Sequence, residues 1–400
     1  MALFFLMIIY AAFISLGLPD SLLGTAWPLM QPEFGVSTES AGIIFMVTAG
    51  GTIVSSLFSS RVIRKYGTGN VTFVSILLTA GALFGIHLAP EFYWLPLLAI
   101  PLGLGAGAID AGLNEFIAEH YESRHMSWLH SFWGLGAMTG PIILSGILTS
   151  GGSWRSGYLI VSIVQFCIAG LILLTLPMWQ KVKTRKTVMQ EVFPETEKPQ
   201  PSAHKTLGIK KLLKLDGVHA VLISFILYCG IEQTMMLWGA TYLIQARGFD
   251  SAKAAFWISF FLGGITLGRF LSGFITMKLN NTRMIRLGQL LILAGTLLII
   301  LPLPDGLSLA GIIIAGLGCA PIYPCMLHET PVRFGKENAQ EVMGFQMAAA
   351  YIGSTFLPPL MGVVGSHTTM AILPYILFFY GIVMFFFSEQ LNRRLRKRQL

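Results

Sequence analysis

Apolar runs long enough to cross a bilayer recur along almost the whole chain, and they leave little choice of fold. A membrane-crossing helix needs about 20 predominantly apolar residues. Such runs occupy approximately 4–28, 38–60, 69–89, 93–117, 128–149 and 155–178. After a polar stretch they resume at approximately 217–244, 252–276, 283–302, 307–328, 338–363 and 369–388, twelve in all. In hydrocarbon every backbone polar group must pair within the chain, so only helices or closed barrels cross. Barrel strands alternate in polarity over about ten residues. Runs this long and this continuously apolar are helices, and the expected fold is an all-α polytopic membrane protein. The opening run, MALFFLMIIYAAFISLG, lacks the basic flank of a signal peptide and is read as the first crossing.

Charge is scarce and unevenly placed. Only 12% of the residues are charged, about half the share usual in soluble domains. With both termini on the cytoplasmic side, twenty-three of the 27 Lys and Arg residues fall in cytoplasmic segments. Nine are in the central polar stretch and five in the tail from Arg393 to Arg398. Arg155, Arg247 and Lys253 are left outside, and Arg269 lies toward the cytoplasmic end of the eighth run. That bias is the positive-inside rule for an even number of crossings of a cell membrane. The net charge of +8 is then an orientation signal, and no nucleic-acid partner is expected. The cationic tail suits anionic lipid heads.

The polar stretch divides the chain into an N-terminal six-helix bundle at 1–180, a cytoplasmic linker at 181–215 and a C-terminal six-helix bundle with a basic tail at 216–400. Its Pro, Glu, Lys and Thr content suggests a tether, with a surface helix near Leu207–Leu215. The halves echo each other. The fourth run reads Gly103-Leu-Gly105 before Asn114-Glu115, and the tenth reads Gly316-Leu-Gly318 before His328-Glu329. Gly136 and Pro141 in the fifth run match Gly353 and Pro358 in the eleventh. Two six-helix pseudo-repeats around a central cavity are therefore expected, with any solute site near the midplane.

Six plus six crossings around a basic central loop resemble the major facilitator superfamily along the whole chain. The loop signature of that family, Gly-x-x-x-Asp-Arg-x-Gly-Arg-Arg/Lys, is met here by the stretch from Ser56 to Lys65. Arg61, Arg64 and Lys65 match; Ser60 stands at the Asp position and Ile63 at the second Gly. Gly264 through Gly268-Arg269 reads as its echo in the eighth run. Leu18-Pro-Asp20 through Gly24, Asp110 with Asn114, and Gly344-Phe-Gln346 through Gly353 are most similar to the fucose–proton symporters and related sodium-dependent glucose transporters. The resemblance implies that acidic residues of the first and fourth crossings, here Asp20 and Asp110, serve proton and substrate.

Ionisable residues at bilayer depth are costly and usually face a cavity. Asp20, Asp110 and Glu232 are the proton-coupling candidates. Asn114 lies one turn from Asp110 on the same face, a carboxylate and carboxamide suited to sugar hydroxyls. His130 and Trp133 share a face of the fifth crossing, the first a candidate proton relay and the second a flat surface for a sugar ring. Tyr228, Gln233 and Trp238 surround Glu232, and Tyr323 and Gln346 stand at cavity depth in the tenth and eleventh crossings. Hydroxyl and carboxamide groups both donate and accept, so these complete the substrate-binding set. For each, the competing reading is a helix-packing bond. Arg61, Arg64, Lys65, Arg269, Glu329 and Arg333 form the candidate gating network on the cytoplasmic side, with Glu329 paired to Arg269 or Arg333.

No enzyme constellation is present. The sequence has no phosphate-binding loop for ATP, no metal-ligand spacing of His and Cys, and no Ser–His–Asp grouping in a suitable context. No cofactor and no metal are expected. The function expected is that of a secondary active transporter, a monomer taking up a sugar with H⁺ by alternating access. A proton-driven exporter of drugs or lipids and a sodium-coupled sugar transporter are the alternatives.

Overall fold

The computed structural model describes residues 2–121, 123–192, 215–275 and 278–399, which are helical almost throughout and contain no strand. The first crossing is broken in two, α1 (Ala2–Asp20) and α2 (Leu22–Phe34). The first half continues with α3 (Ser40–Tyr66), α4 (Thr68–Leu88), α5 (Trp94–His120), α6 (Ser123–Thr149) and α7 (Trp154–Val192). The second half comprises α8 (Val218–Arg247), α9 (Ser251–Ile275), α10 (Asn281–Ile300), α11 (Asp305–Phe334), α12 (Lys336–His367) and α13 (Leu373–Gln399). Twelve crossings result, as the apolar runs predict. The helix of the sixth crossing outlasts its apolar run, which ends near 178, because Gln, Lys and Arg sustain a helix as well as Leu does. Most of the expected linker, 193–214, lies outside the described residues, and with it the surface helix near Leu207–Leu215 apart from Leu215 itself.

Close glycine packing demonstrates the repeat. A Cβ on Gly103 would lie 2.1 Å from the carbonyl of Thr48, and one on Gly316 would lie 2.2 Å from that of Phe261. Gly136 approaches the carbonyl of Ile14 as Gly353 approaches that of Ile226, at 2.2 and 2.1 Å. Small residues let membrane helices meet backbone to backbone, and here equivalent glycines do so on equivalent partners. The packing therefore sets α1–α2 against α8, α3 against α9, α5 against α11 and α6 against α12. The echo of the loop signature in the eighth crossing is in a different register. Counting from Thr48 and Phe261, Arg269 corresponds to Ser56, more than a turn deeper than Arg61.

These contacts give a stability prediction. Gly136→Val forces α6 off α1 against backbone that has no rotamer to change, and overpacking costs about 1–3 kcal/mol or more. Gly146→Val, on the same helix with nothing within 4 Å, is the control. Gly136→Val is expected to lower the melting temperature in detergent by several degrees while Gly146→Val leaves it unchanged.

The contacts between the halves begin on the side away from the chain ends. Gly24 meets the carbonyl of Met236, Gly42 meets Pro359, and the Ser145 hydroxyl donates to the Ala252 carbonyl at 2.8 Å. On that side Arg155 also closes the first half. Its guanidinium donates to Glu33 and to the carbonyls of His87 and Ala89, at 2.7–3.1 Å. Glu39, between α2 and α3, has its carboxyl held below the ordinary range, chiefly by its own backbone amide.

Candidate functional site

Two prolines and their relieved carbonyls position the break in the first crossing. Pro19 has no N–H for the carbonyl of Ser15, and the Gln165 carboxamide of α7 donates to it instead at 2.7 Å. Pro141 likewise frees the carbonyl of Ala137, which accepts the Ser21 hydroxyl at 2.7 Å. A helix proline removes one backbone bond, and an orphaned carbonyl in a membrane core must find another donor. The replacement donors lock α1 to α6 and α7 on either side of Asp20.

From Asp20 a chain of polar contacts crosses from one half to the other. The Trp133 indole N–H donates to Asp20 Oδ2 at 2.7 Å. The Arg269 guanidinium carbon lies over the Trp133 ring, 5.2 Å from its centroid. Arg269 Nη2 stands 3.5 Å from Glu232 Oε1, and the Tyr228 hydroxyl donates to Glu232 Oε2. Tyr323 adjoins this group, its ring 6.2 Å from that of Tyr228 and its hydroxyl directed to Met347 Sδ at 3.2 Å. Glu232 and Tyr228 are buried. Asp20, in contrast, is open to a cavity of about 210 Å³ between the halves, which Thr48, Thr52, Gln233, Tyr351 and Ser354 also line.

Asp110 is separate from this chain. Asn114 Nδ2 donates to its carboxylate and to its backbone carbonyl, both at 2.9 Å, leaving Asn114 Oδ1 buried without a partner among the described residues. Tyr351 of α12 is within electrostatic reach of Asp110 and within reach of Ser56. His130 lies edge-on to Phe13 at 5.9 Å, one turn from Trp133.

Other expected residues lie elsewhere. Trp238 is fully buried, donates to the Pro358 carbonyl at 2.7 Å and packs against Gly362. Gln346 is buried and accepts from Thr330 at 2.9 Å. Glu329 pairs with Arg333 at 3.6 Å, one helical turn on, rather than with Arg269. Arg61, Arg64 and Lys65 are exposed at the end of α3, and among the described residues none of them is in an ion pair; Arg61 lies over Phe58 and Lys65 over Tyr66. Sequence reasoning missed Thr48, Thr52 and Ser354. Threonine and serine are common in membrane helices as bonds to their own backbone, as Thr48 to Ile44 shows, so nothing in their pattern sets them apart.

Comparison with known proteins follows the same architecture. The family model described as Major Facilitator Superfamily matches residues 3–358. The glucose/mannose transporter GlcP of Bacillus subtilis (strain 168) is 24% identical over 381 residues, 91% of each chain. A hexuronate transporter of the same organism is 25% identical over 272 residues, 65% of this chain and 62% of the relative. Among solved structures, a variant of the nucleoside transporter NupG superposes with a TM-score of 0.75 at 15% identity, covering 96% of this chain and 98% of the other.

Proposed function

The chain belongs to the major facilitator superfamily and is a multi-pass membrane transporter rather than an enzyme, and on that premise we propose that it takes up a sugar together with a proton. The observation that carries this reading is the cavity between the halves. One half contributes Asp20, Thr48 and Thr52 to it; the other contributes Gln233, Tyr351 and Ser354. Hydroxyls, a carboxamide and a carboxylate are the partners a polyol needs, since each of its hydroxyls both donates and accepts. The likeness to GlcP, a glucose/mannose transporter, supports a hexose.

Both termini are placed in the cytoplasm of a cell carrying the protein in its cell membrane, in keeping with the distribution of Lys and Arg. The two bundles, 1–180 and 216–400, rock about the cavity while the segment 181–215 tethers them. Asp20 or Asp110 loads a proton from outside, the sugar binds beside it, and the inner side then opens. Coupling is reciprocal: bound proton and bound sugar each strengthen the binding of the other.

Proteoliposomes test this directly. Hexose is expected to accumulate when the outside is acidified, and to equilibrate without accumulating when no gradient is imposed. Accumulation driven by an inward sodium gradient alone would replace the proton by sodium. Failure of every sugar to accumulate under either gradient would sink the sugar reading.

A further inference from the structure

Each half places one acidic residue at the same point of its first crossing. Asp20 is six residues beyond Ile14, and Glu232 is six beyond Ile226, the two carbonyls that receive Gly136 and Gly353. Gly24 and Met236, ten residues beyond the same pair, touch each other. The two crossings therefore meet on the pseudo-dyad, with Asp20 and Glu232 one turn away on either side of it. Their surroundings are not equivalent. Glu232 is buried and has Arg269 and Tyr228. Asp20 is open to the cavity, and its one described side-chain hydrogen bond comes from Trp133.

The link between them departs from the repeat as well. Trp133, three residues before Gly136, corresponds to Ala350, three before Gly353. Arg269 corresponds to Ser56. The interface of α6 with α9 thus carries an indole and a guanidinium where the equivalent interface of α12 with α3 carries an alanine and a serine. On that second side the cavity opens, between Thr48 and Thr52 of α3 and Tyr351 and Ser354 of α12, so the indole and guanidinium mark the side on which the halves are in closer contact.

We infer that Trp133 is a positioning residue that transmits the state of Asp20, in one half, to the Arg269–Glu232 pair in the other. The inference rests on the proposal that Asp20 exchanges a cation during transport. An indole N–H only donates, and its bond to an ionised carboxylate is roughly twice as strong as one to a neutral acceptor. Charged Asp20 therefore holds the ring in place, with its face under Arg269. A cation on Asp20 weakens that bond, the indole is freed to turn, and Arg269 loses the aromatic surface that ties α9 to α6. Asp110 from α5 is within electrostatic reach of Asp20, and Tyr158 from α7 and Tyr351 from α12 line the same cavity; beyond the indole, Arg269 from α9 is within reach of His130 from α6 and pairs with Glu232 from α8. Of these only Arg269 touches the indole face.

A measurement without substrate tests the link. Spin labels at Val62→Cys and Val332→Cys, both exposed on the side of the chain ends, report the separation of the halves in a Cys167→Ser background. Asp20→Asn keeps a neutral acceptor in place. Trp133→Phe keeps an aromatic face for Arg269 and removes the donor. A benzothiophene analogue of tryptophan at 133 removes the N–H alone, which covers the case of a poorly folded Phe variant. Each change is expected to shift the ratio of short to long distances in the same direction, by about tenfold, the factor for one charge-assisted bond. The Asp20→Asn/Trp133→Phe double variant should shift it no further than either single one. Additive shifts, or a shift in Asp20→Asn that both Trp133 variants lack, overturn the inference. No shift in Asp20→Asn overturns the coupling role of Asp20 and takes this inference with it.

Discussion

Arg269→Ala is expected to destabilise the folded protein by about 3–5 kcal/mol, the usual cost of stranding one member of a buried ion pair. Glu232 is 6% exposed, so the carboxylate left behind has little water to replace its partner. Tyr228 still donates to it, but one neutral donor does not offset a lost guanidinium. The same change removes the charge over Trp133, so the grip between α6 and α9 weakens too. Removing both charges behaves differently. Glu232→Gln combined with Arg269→Met leaves no stranded charge, and replacing a buried pair by groups of similar volume is often close to neutral. Thermal unfolding in detergent, run as a double-mutant cycle, separates the cases. The expected order is wild type close to the double variant, with Arg269→Ala far below both. A double variant as unstable as Arg269→Ala would show that Arg269 stabilises by packing its stem rather than by its charge.

The fold was legible because a bilayer makes its demand residue by residue. Twelve runs of apolar side chains need no tertiary context to be read. The repeat was partly legible for a similar reason: Gly103 and Gly316 are conspicuous within apolar helices and do the same work. The site was harder. Asp20, Gln233 and Trp133 stand out because polar or amphipathic groups are rare at that depth, and the structure brings the three to the region between the halves. Trp238 and Gln346 stand out by the same test, yet one caps the Pro358 carbonyl and the other bonds Thr330. Depth along a helix can be counted from sequence. Which face looks inward depends on helix rotation, and the spacing of apolar residues says little about it when lipid and core are equally apolar. Arg269 shows the cost of relying on motif likeness: its echo of Arg61 pointed to a gate at the membrane surface, whereas packing register sets it against Glu232 at mid-depth.

Asp110→Asn is expected to abolish uphill accumulation of sugar while leaving exchange of internal for external sugar largely intact. The substitution keeps volume and shape, and the Asn114 amide still finds an acceptor at position 110, so the fold should survive. What is removed is the only charge in this pair, on a carboxylate that no described cation contacts. A transporter concentrates solute only if the driving ion changes the affinity for solute. Coupling free energies of about 1–3 kcal/mol correspond to factors of roughly 5–150, so losing the ion site should cut the accumulation ratio by that order and bring it near one. Exchange needs only the sugar contacts, which are on other residues facing the cavity. Asp20→Asn is expected to lose accumulation as well, since the two carboxylates are within electrostatic reach and a proton on one bears on the other. If Asp20 alone cycles the proton, Asp110→Asn keeps accumulation. If both variants keep it with exchange intact, neither carboxylate carries the driving ion. Loss in both would mean that the two act as one site, which their mutual electrostatic reach allows.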